Sequence, residues 1–128
     1  MLNVIDLLCS FLGCRPHELY KLLERHTVRH ECSEYLLQQR LYTRYKHGPN
    51  TCHIKYVGIT LGSSRTVKAF QGYKGITVEQ HFFSKYGIDL FYPKLTCVKI
   101  PRGDYDFNYI PIELVFVDRA VDDSRLSD

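Results

Sequence analysis

Three side chains suited to binding a phosphate group are closely spaced in one predicted helix, residues 77–86. His81 and Lys85 are four positions apart and share a helix face, and Tyr86 follows with a hydroxyl group. A cation grouped with other donors in this way can hold a phosphodiester oxygen. The alternative is an amphipathic helix whose polar face contacts only water. The three residues alone slightly favour this alternative, because such pairs are common.

Aromatic and basic residues alternate through the predicted strands and turns that precede this helix. The members of the pattern are Tyr42, Arg44, Tyr45, Lys46, His47, Lys55, Tyr56, Lys68, Phe70, Tyr73 and Lys74. Bases of a single strand stack on aromatic side chains, at about 1–3 kcal/mol each, while cations follow the phosphate backbone. The alternative is that many of the tyrosines are core or edge residues of a small sheet. On these grounds alone the two interpretations are about even.

The net charge of +3 on 128 residues is unevenly distributed. Residues 1–39 carry a net charge of −1, residues 40–102 carry +9, and residues 103–128 carry −5. A basic segment of this size favours a polyanionic partner, with nucleic acid as the first candidate. No apolar run approaches the roughly 20 residues that span a bilayer, so we expect no membrane partner.

Metal binding and catalysis are not favoured by the remaining polar residues. His26 and His30 have helical spacing but lack a second ligand pair, and the five cysteines show no C-x-x-C spacing. The cysteines therefore predict reduced, packed thiols in an intracellular protein. The acids that could form a nuclease centre lie outside the basic segment; they are Asp104, Asp106, Glu113 and Asp118. We expect a non-catalytic domain with no metal and no cofactor.

Local patterns predict an α+β chain in which helices precede a small antiparallel β domain. Helices are expected at residues 2–12, from Pro16 onward, at 26–38 and at 77–86, the last with a Thr77–Gln80 capping box and a left-handed cap at Gly87. Strands are expected at 41–46, 52–61, 67–70, 95–100 and 110–117. So many short strands suggest a small closed barrel. The predicted parts are a helical lead (1–39), the β domain (40–118) and a frayed acidic tail (119–128).

Motifs between residues 76 and 117 resemble the PAZ domain of Argonaute proteins. The run T-V-E-Q-H-F from Thr77 is followed by Lys85-Tyr86 and by Tyr92-Pro93-x-Leu95-x-Cys97. The stretch Y-I-P-I-E-L from Tyr109 is similar to the family's closing Y-L-P-L-E-V. Upstream, K-Y-V-G-I-T from Lys55 and V-I-D-L-L-C from Val4 resemble two further family elements, less closely.

The resemblance implies an SH3/OB-like β-barrel with a β-hairpin–helix appendage and N-terminal helices. The cleft between barrel and appendage would hold the 3′ end of a small RNA. Phe70 would stack on the terminal nucleotide and Ile110 would pack against it. Lys85 and Tyr86 would contact the terminal phosphodiester and sugar, and Lys55 would occupy the backbone-binding arginine position.

Three positions differ from the family's pattern. His81 replaces a tyrosine of most members; its imidazole can still donate to phosphate, with a strength that changes near the reference pKa of histidine, about 6.5. Ile54 replaces a strand tyrosine and brings no polar group. The family's phosphate-binding histidine falls at Lys46, with His47 one place away.

The resemblance implies a sequence-independent RNA-binding module that anchors the 3′ end of a guide RNA within an Argonaute protein for RNA-mediated gene silencing. Its partners would be a single-stranded 3′ end or a two-nucleotide 3′ overhang, and the other domains of the parent protein. We expect a cytoplasmic monomer, with the nucleus as a second location. One alternative is a PAZ-like protein-interaction module that has lost RNA binding, which the changes at Ile54 and His81 motivate. A metal-dependent nuclease is a third.

Overall fold

Three helices open the chain because local residues both start and stop them. The computed structural model describes residues 2–44, 52–69, 75–101 and 107–117. Helix α1 (Val4–Leu12) begins where the Ile5 N–H donates to Asn3 Oδ1 at 2.8 Å, and it ends at Gly13, whose φ of +69° suits glycine. Helices α2 (Pro16–Leu23) and α3 (His26–Leu37) follow, with Pro16 in the first turn of α2.

Within the described ranges, seven short strands form two antiparallel sheets. The first sheet has the order β1 (Leu2–Asn3), β7 (Val115–Val117), β2 (Leu41–Thr43) and β3 (Cys52–Ile54). The second has the order β4 (Gly58–Ser63), β5 (Thr96–Pro101) and β6 (Phe107–Pro111), and helix α4 (Val78–Tyr86) lies between β4 and β5 along the chain. The predicted α+β class is confirmed. The pairings of the described residues form no closed ring, so the barrel itself is not confirmed.

Several predicted boundaries were wrong for reasons that depend on pairing. Leu2 and Asn3 form a strand and not the first turn of a helix. The predicted strand 52–61 is two strands, because the chain passes from one sheet to the other at residues 55–57. The predicted strand 110–117 breaks at Pro111, which has no N–H to donate, and a 3₁₀ turn (Ile112–Leu114) precedes β7. Of the predicted strand 67–70, Lys68 forms an isolated bridge to Thr77.

One hydrophobic core joins the helices to both sheets. Fully buried side chains come from α1 to α4 and from both sheets; they include Leu8, Leu19, Leu36, Val78, Val98 and Val117. Each such side chain contributes about 1.5–3 kcal/mol relative to an exposed position. The helical lead therefore packs on the β domain, while its boundary at residue 39 stays a prediction. No helix in the described part of the chain is long and apolar enough to cross a bilayer.

A buried thiol in β5 predicts how stability changes with pH. Burial raises the pKa of Cys97 from 9.0 to about 12, although hydrogen bonds from Ser64 and Thr60 oppose the shift. The folded state therefore keeps the thiol protonated where the unfolded chain ionises it. The stabilisation is complete below pH 9 and is lost as the pH rises from 9 toward 12, at about 1.4 kcal/mol per pH unit.

We expect urea denaturation of the wild-type domain to show this fall in unfolding free energy between pH 9 and pH 11. Cys97→Ala should be less stable at pH 7 because it leaves a cavity, but its slope against pH should be shallower by the Cys97 contribution. Equal slopes in the two proteins would contradict the burial argument.

Candidate functional site

Helix α4 carries three of the predicted site residues, and its two ends are fixed by capping. The Gln80 N–H donates to Thr77 Oγ1 at 3.2 Å, and the Thr77 N–H donates to Gln80 Oε1 at 2.9 Å. The helix stops at Gly87, whose φ is +67° and whose N–H donates to the Phe83 carbonyl at 3.0 Å. The predicted capping box and left-handed cap are both confirmed.

The inner face of α4 is apolar and packs on the core beside β6. Val78 and Phe82 are 1% and 2% exposed, and α4 contacts β6. At 100° per residue, positions 81, 85 and 86 fall beside positions 78 and 82 around the helix, so the three predicted site residues border the buried face. Lys85 is exposed there, while His81 and Tyr86 are half-buried. Half-burial is the condition in which a donor keeps access to a ligand and loses part of its competing hydration.

The predicted phosphate-binding triplet is brought together along the border of the buried face of α4. The His81 ring lies edge-on to Phe82 at 5.5 Å and to Tyr86 at 6.0 Å between ring centroids. Lys85 Nζ lies 5.5 Å from the centroid of the Tyr86 ring. A cation, an imidazole and a phenol therefore form one compact group, which is an arrangement able to bind an anionic oxygen.

Lys55 is exposed in the short connection between β3 and β4, and its neighbours face inward. Ile54 packs against the core. The Tyr56 hydroxyl shares a hydrogen bond with Ser33 Oγ at 2.8 Å, and burial raises its pKa. Tyr56 is therefore a structural residue, which bears out the alternative interpretation for this member of the aromatic pattern.

The remaining predicted site residues are divided between the core and the undescribed segments. Ile110 is 4% exposed and belongs to the hydrophobic core, so its predicted contact with a ligand would require the cleft to reach that core position. Lys46, His47 and Phe70 lie outside the described residues. Their predicted roles stay predictions.

A cleft that no sequence motif indicates lies against β4, β5 and β6. Its volume is about 600 Å³. The lining residues are Ile59, Thr60, Leu61, Val67, Lys68, Lys99, Phe107 and Tyr109. Lys99 and Tyr109 are direct partners across β5 and β6. Their pairing joins residues ten positions apart, so the strand register had to be known before the two could be recognised as neighbours.

The one candidate nuclease acid in the described segments has a structural role. The Glu113 carboxylate accepts the backbone N–H of Phe91 at 3.0 Å and of Tyr92 at 2.7 Å. Asp104, Asp106 and Asp118 lie outside the described residues. His26 and His30 stack at 6.3 Å, and within residues 2–44, 52–69, 75–101 and 107–117 no group of three or more His, Cys, Asp or Glu is placed to hold a metal ion.

Comparison with known proteins identifies the family. The model of the PAZ domain matches residues 16–127, and the chain belongs to this family. A search of curated proteins found no match.

Three solved structures from Drosophila share the fold. A structure of the Ago-PAZ domain in complex with 3′-end 2′-O-methylated RNA has a TM-score of 0.70 at 15% identity, covering 91% of this chain and 98% of that one. A structure on 3′ end recognition of nucleic acids by the Argonaute 2 PAZ domain has a TM-score of 0.60 at 16% identity, and the match covers 91% of this chain and 94% of that one. A third structure, on the structure and nucleic acid binding of the Argonaute 2 PAZ domain, has a TM-score of 0.62 at 16% identity. That match covers 92% of this chain and 99% of the other.

The capping box of α4 predicts a local stability effect. Thr77→Ala removes the side chain that accepts the Gln80 N–H, so we expect a loss of about 1 kcal/mol in urea denaturation. Thr77→Ser keeps a hydroxyl acceptor and should stay close to wild type. Thr27→Ala, at an exposed position of α3, should be neutral or slightly stabilising. A Thr77→Ala domain as stable as Thr77→Ser would show that the cap contributes nothing.

Proposed function

We propose that this PAZ domain anchors the 3′ end of a small guide RNA without reading its sequence. The observation that carries the proposal is the compact group of His81, Lys85 and Tyr86 along the border of the buried face of α4. Family membership supports it, as do the similar Drosophila structures that concern 3′ ends of nucleic acids. Phosphate neutralisation and stacking tolerate any base, so such a site selects an end and not a sequence.

In this proposal each predicted residue has a separate task. His81, Lys85 and Tyr86 hold the terminal phosphodiester and sugar, while Phe70 stacks on the last base and Ile110 bounds the pocket. Lys55, Lys46 and His47 contact the preceding backbone. The domain itself binds and does not cleave, so any cleavage belongs to another part of an Argonaute protein.

We also infer that the two sheets are halves of an SH3/OB-like barrel. Residues 55–57 carry the chain directly from β3 in one sheet to β4 in the other, and a strand that changes sheets is the usual way to turn a barrel corner. The Val57 N–H still donates to the Lys99 carbonyl at 2.9 Å, so the second sheet begins before β4.

A monomer acting in the cytoplasm, with the nucleus as a second location, completes the proposal.

A protein-interaction module is the second candidate, and Ile54 is the observation that favours it. This side chain packs against the core where the family has a tyrosine. The position therefore offers no hydroxyl group to an RNA. RNA binding that is absent, or that is insensitive to salt, would favour this candidate, because phosphate contacts weaken as salt rises.

End anchoring is tested with two single-stranded RNAs of the same sequence, one with a free 3′ end and one with a 3′ phosphate. We expect fluorescence anisotropy to show about tenfold weaker binding of the blocked RNA, because its terminal group cannot make the hydrogen bonds of a free hydroxyl. Equal affinity for both RNAs would contradict end anchoring, and no binding of either would contradict RNA binding as a whole.

Single substitutions test the residue assignments. Phe70→Ala should weaken binding of the free-ended RNA by about tenfold or more, because base stacking on an aromatic ring contributes about 1–3 kcal/mol. His81→Ala should weaken it several-fold, because one donor to the phosphate is lost. Phe91→Ala and His17→Ala are matched controls at exposed positions away from α4 and should bind as wild type. If His81→Ala binds the free-ended RNA as tightly as wild type, the assignment of α4 to the RNA-binding site is wrong.

A further inference from the structure

The cleft against β4, β5 and β6 is open to solvent, and two of its lining residues are partners across β5 and β6. Val98 and Ile110 are partners across β5 and β6, and both are buried. Lys99 and Tyr109 are the adjacent residues of the same strands, and both are half-exposed. Side chains alternate between the two faces of a sheet, so Lys99 and Tyr109 lie on the face opposite to Val98 and Ile110. We call this cleft, with the lining residues given above, the outer cleft.

Two lysines make the outer cleft electropositive. Lys99 Nζ lies 4.5 Å from the centroid of the Phe107 ring, so a cation–π contact fixes the ammonium group while its N–H donors stay available. Lys68 is exposed at the other wall of the cleft. Among the described residues, no carboxylate lines this cleft or forms an ion pair with either lysine.

The chemistry of the lining favours a phosphodiester over an apolar protein segment. An apolar occupant would have to remove water from two ammonium groups without pairing them, and that desolvation is unfavourable. A phosphodiester backbone pairs with both, and its sugars and bases can contact Phe107 and Tyr109. The volume of about 600 Å³ lies within the range of roughly 300–1,000 Å³ that ligand sites occupy.

The outer cleft also adjoins the helix that carries the proposed end-binding group. Lys68 forms a bridge to Thr77, the first capping residue of α4, and the Val78 N–H donates to the Val67 carbonyl at 2.8 Å. His81 follows Thr77 by about 6 Å along the helix axis, at 1.5 Å per residue. A single strand held at α4 therefore reaches the outer cleft within a few nucleotides.

We infer that the outer cleft binds the phosphodiester backbone of single-stranded RNA upstream of the 3′ end, through Lys68 and Lys99. The inference rests on the proposed function for the placement of the strand, because the 3′ end at α4 sets which nucleotides reach the cleft. It adds a second contact region, which lies next to the start of α4.

RNA length separates the two regions. The test compares a 5′-labelled RNA of about four nucleotides with one of about ten that has the same 3′ sequence, a range that covers the usual size of single-strand sites. The variant is Lys68→Ala with Lys99→Ala. The matched control is Lys21→Ala with Arg25→Ala, which removes the same charge from exposed positions near α2. Circular dichroism checks that each variant is folded.

We expect the Lys68 and Lys99 double variant to bind the long RNA about tenfold more weakly at low salt and the short RNA within about twofold of wild type. The dependence of log affinity on log salt for the long RNA should become shallower by about 1.4, because two single-strand phosphate contacts are lost. The Lys21 and Arg25 control should bind both RNAs as wild type does. His81→Ala should weaken both lengths.

An unchanged affinity for the long RNA, or an equal loss for both lengths, would overturn the inference. If the proposed end anchoring fails instead, the two experiments give a different combination of results. If the wild-type domain binds RNAs with free and blocked 3′ ends equally, while the lysine double variant still loses affinity for the long RNA, end anchoring is wrong and backbone binding at the outer cleft stands.

Discussion

Burial of Phe82 is the contact on which the arrangement of the site depends. This side chain is 2% exposed in the core beside β6, and it lies on the inner face of α4. Burying a phenylalanine contributes about 1.5–3 kcal/mol, which is enough to fix the rotation of a nine-residue helix about its axis. Once that rotation is fixed, His81, Lys85 and Tyr86 must all lie beside the buried face, where Lys85 is exposed and the other two are half-buried. The polar group is therefore a consequence of apolar packing.

The features that could be predicted from the sequence were those controlled by neighbours in the chain. The start and end of α4 depend on Thr77, Gln80 and Gly87, which act within one turn of the helix, and they were predicted correctly. The grouping of His81, Lys85 and Tyr86 also depends on helix geometry alone. The helices α1 and α2 were predicted from their apolar spacing in the same way, while α3 was predicted without such a pattern.

The features that could not be predicted depend on residues distant in sequence. For Tyr56 the aromatic pattern left base stacking and a structural role about even. Its hydroxyl shares a hydrogen bond with Ser33 of α3, and no local pattern indicates that contact. Lys99 and Tyr109 became neighbours only through the β5–β6 register. The break at residues 55–57 likewise follows from a change of sheet, because the local composition is β-forming on both sides. A β-forming composition therefore predicts that these segments are strands. It does not predict where one strand ends and the next begins, or which residues of β5 and β6 are paired.

The pairing of β1 with β7 determines how the domain would respond to a pulling force. Leu2 is paired with Val117, so the first and last described residues are adjacent at one edge of a sheet. In an antiparallel pair the hydrogen bonds are perpendicular to the strands. A force that separates these two residues would therefore load the bonds one after another, as in opening a zipper, and not all together. The β1–β7 pair is therefore the part of the sheet that such a force opens first, while the Asn3 side chain, which donates to the Glu113 carbonyl at 2.7 Å, resists further opening beyond that edge.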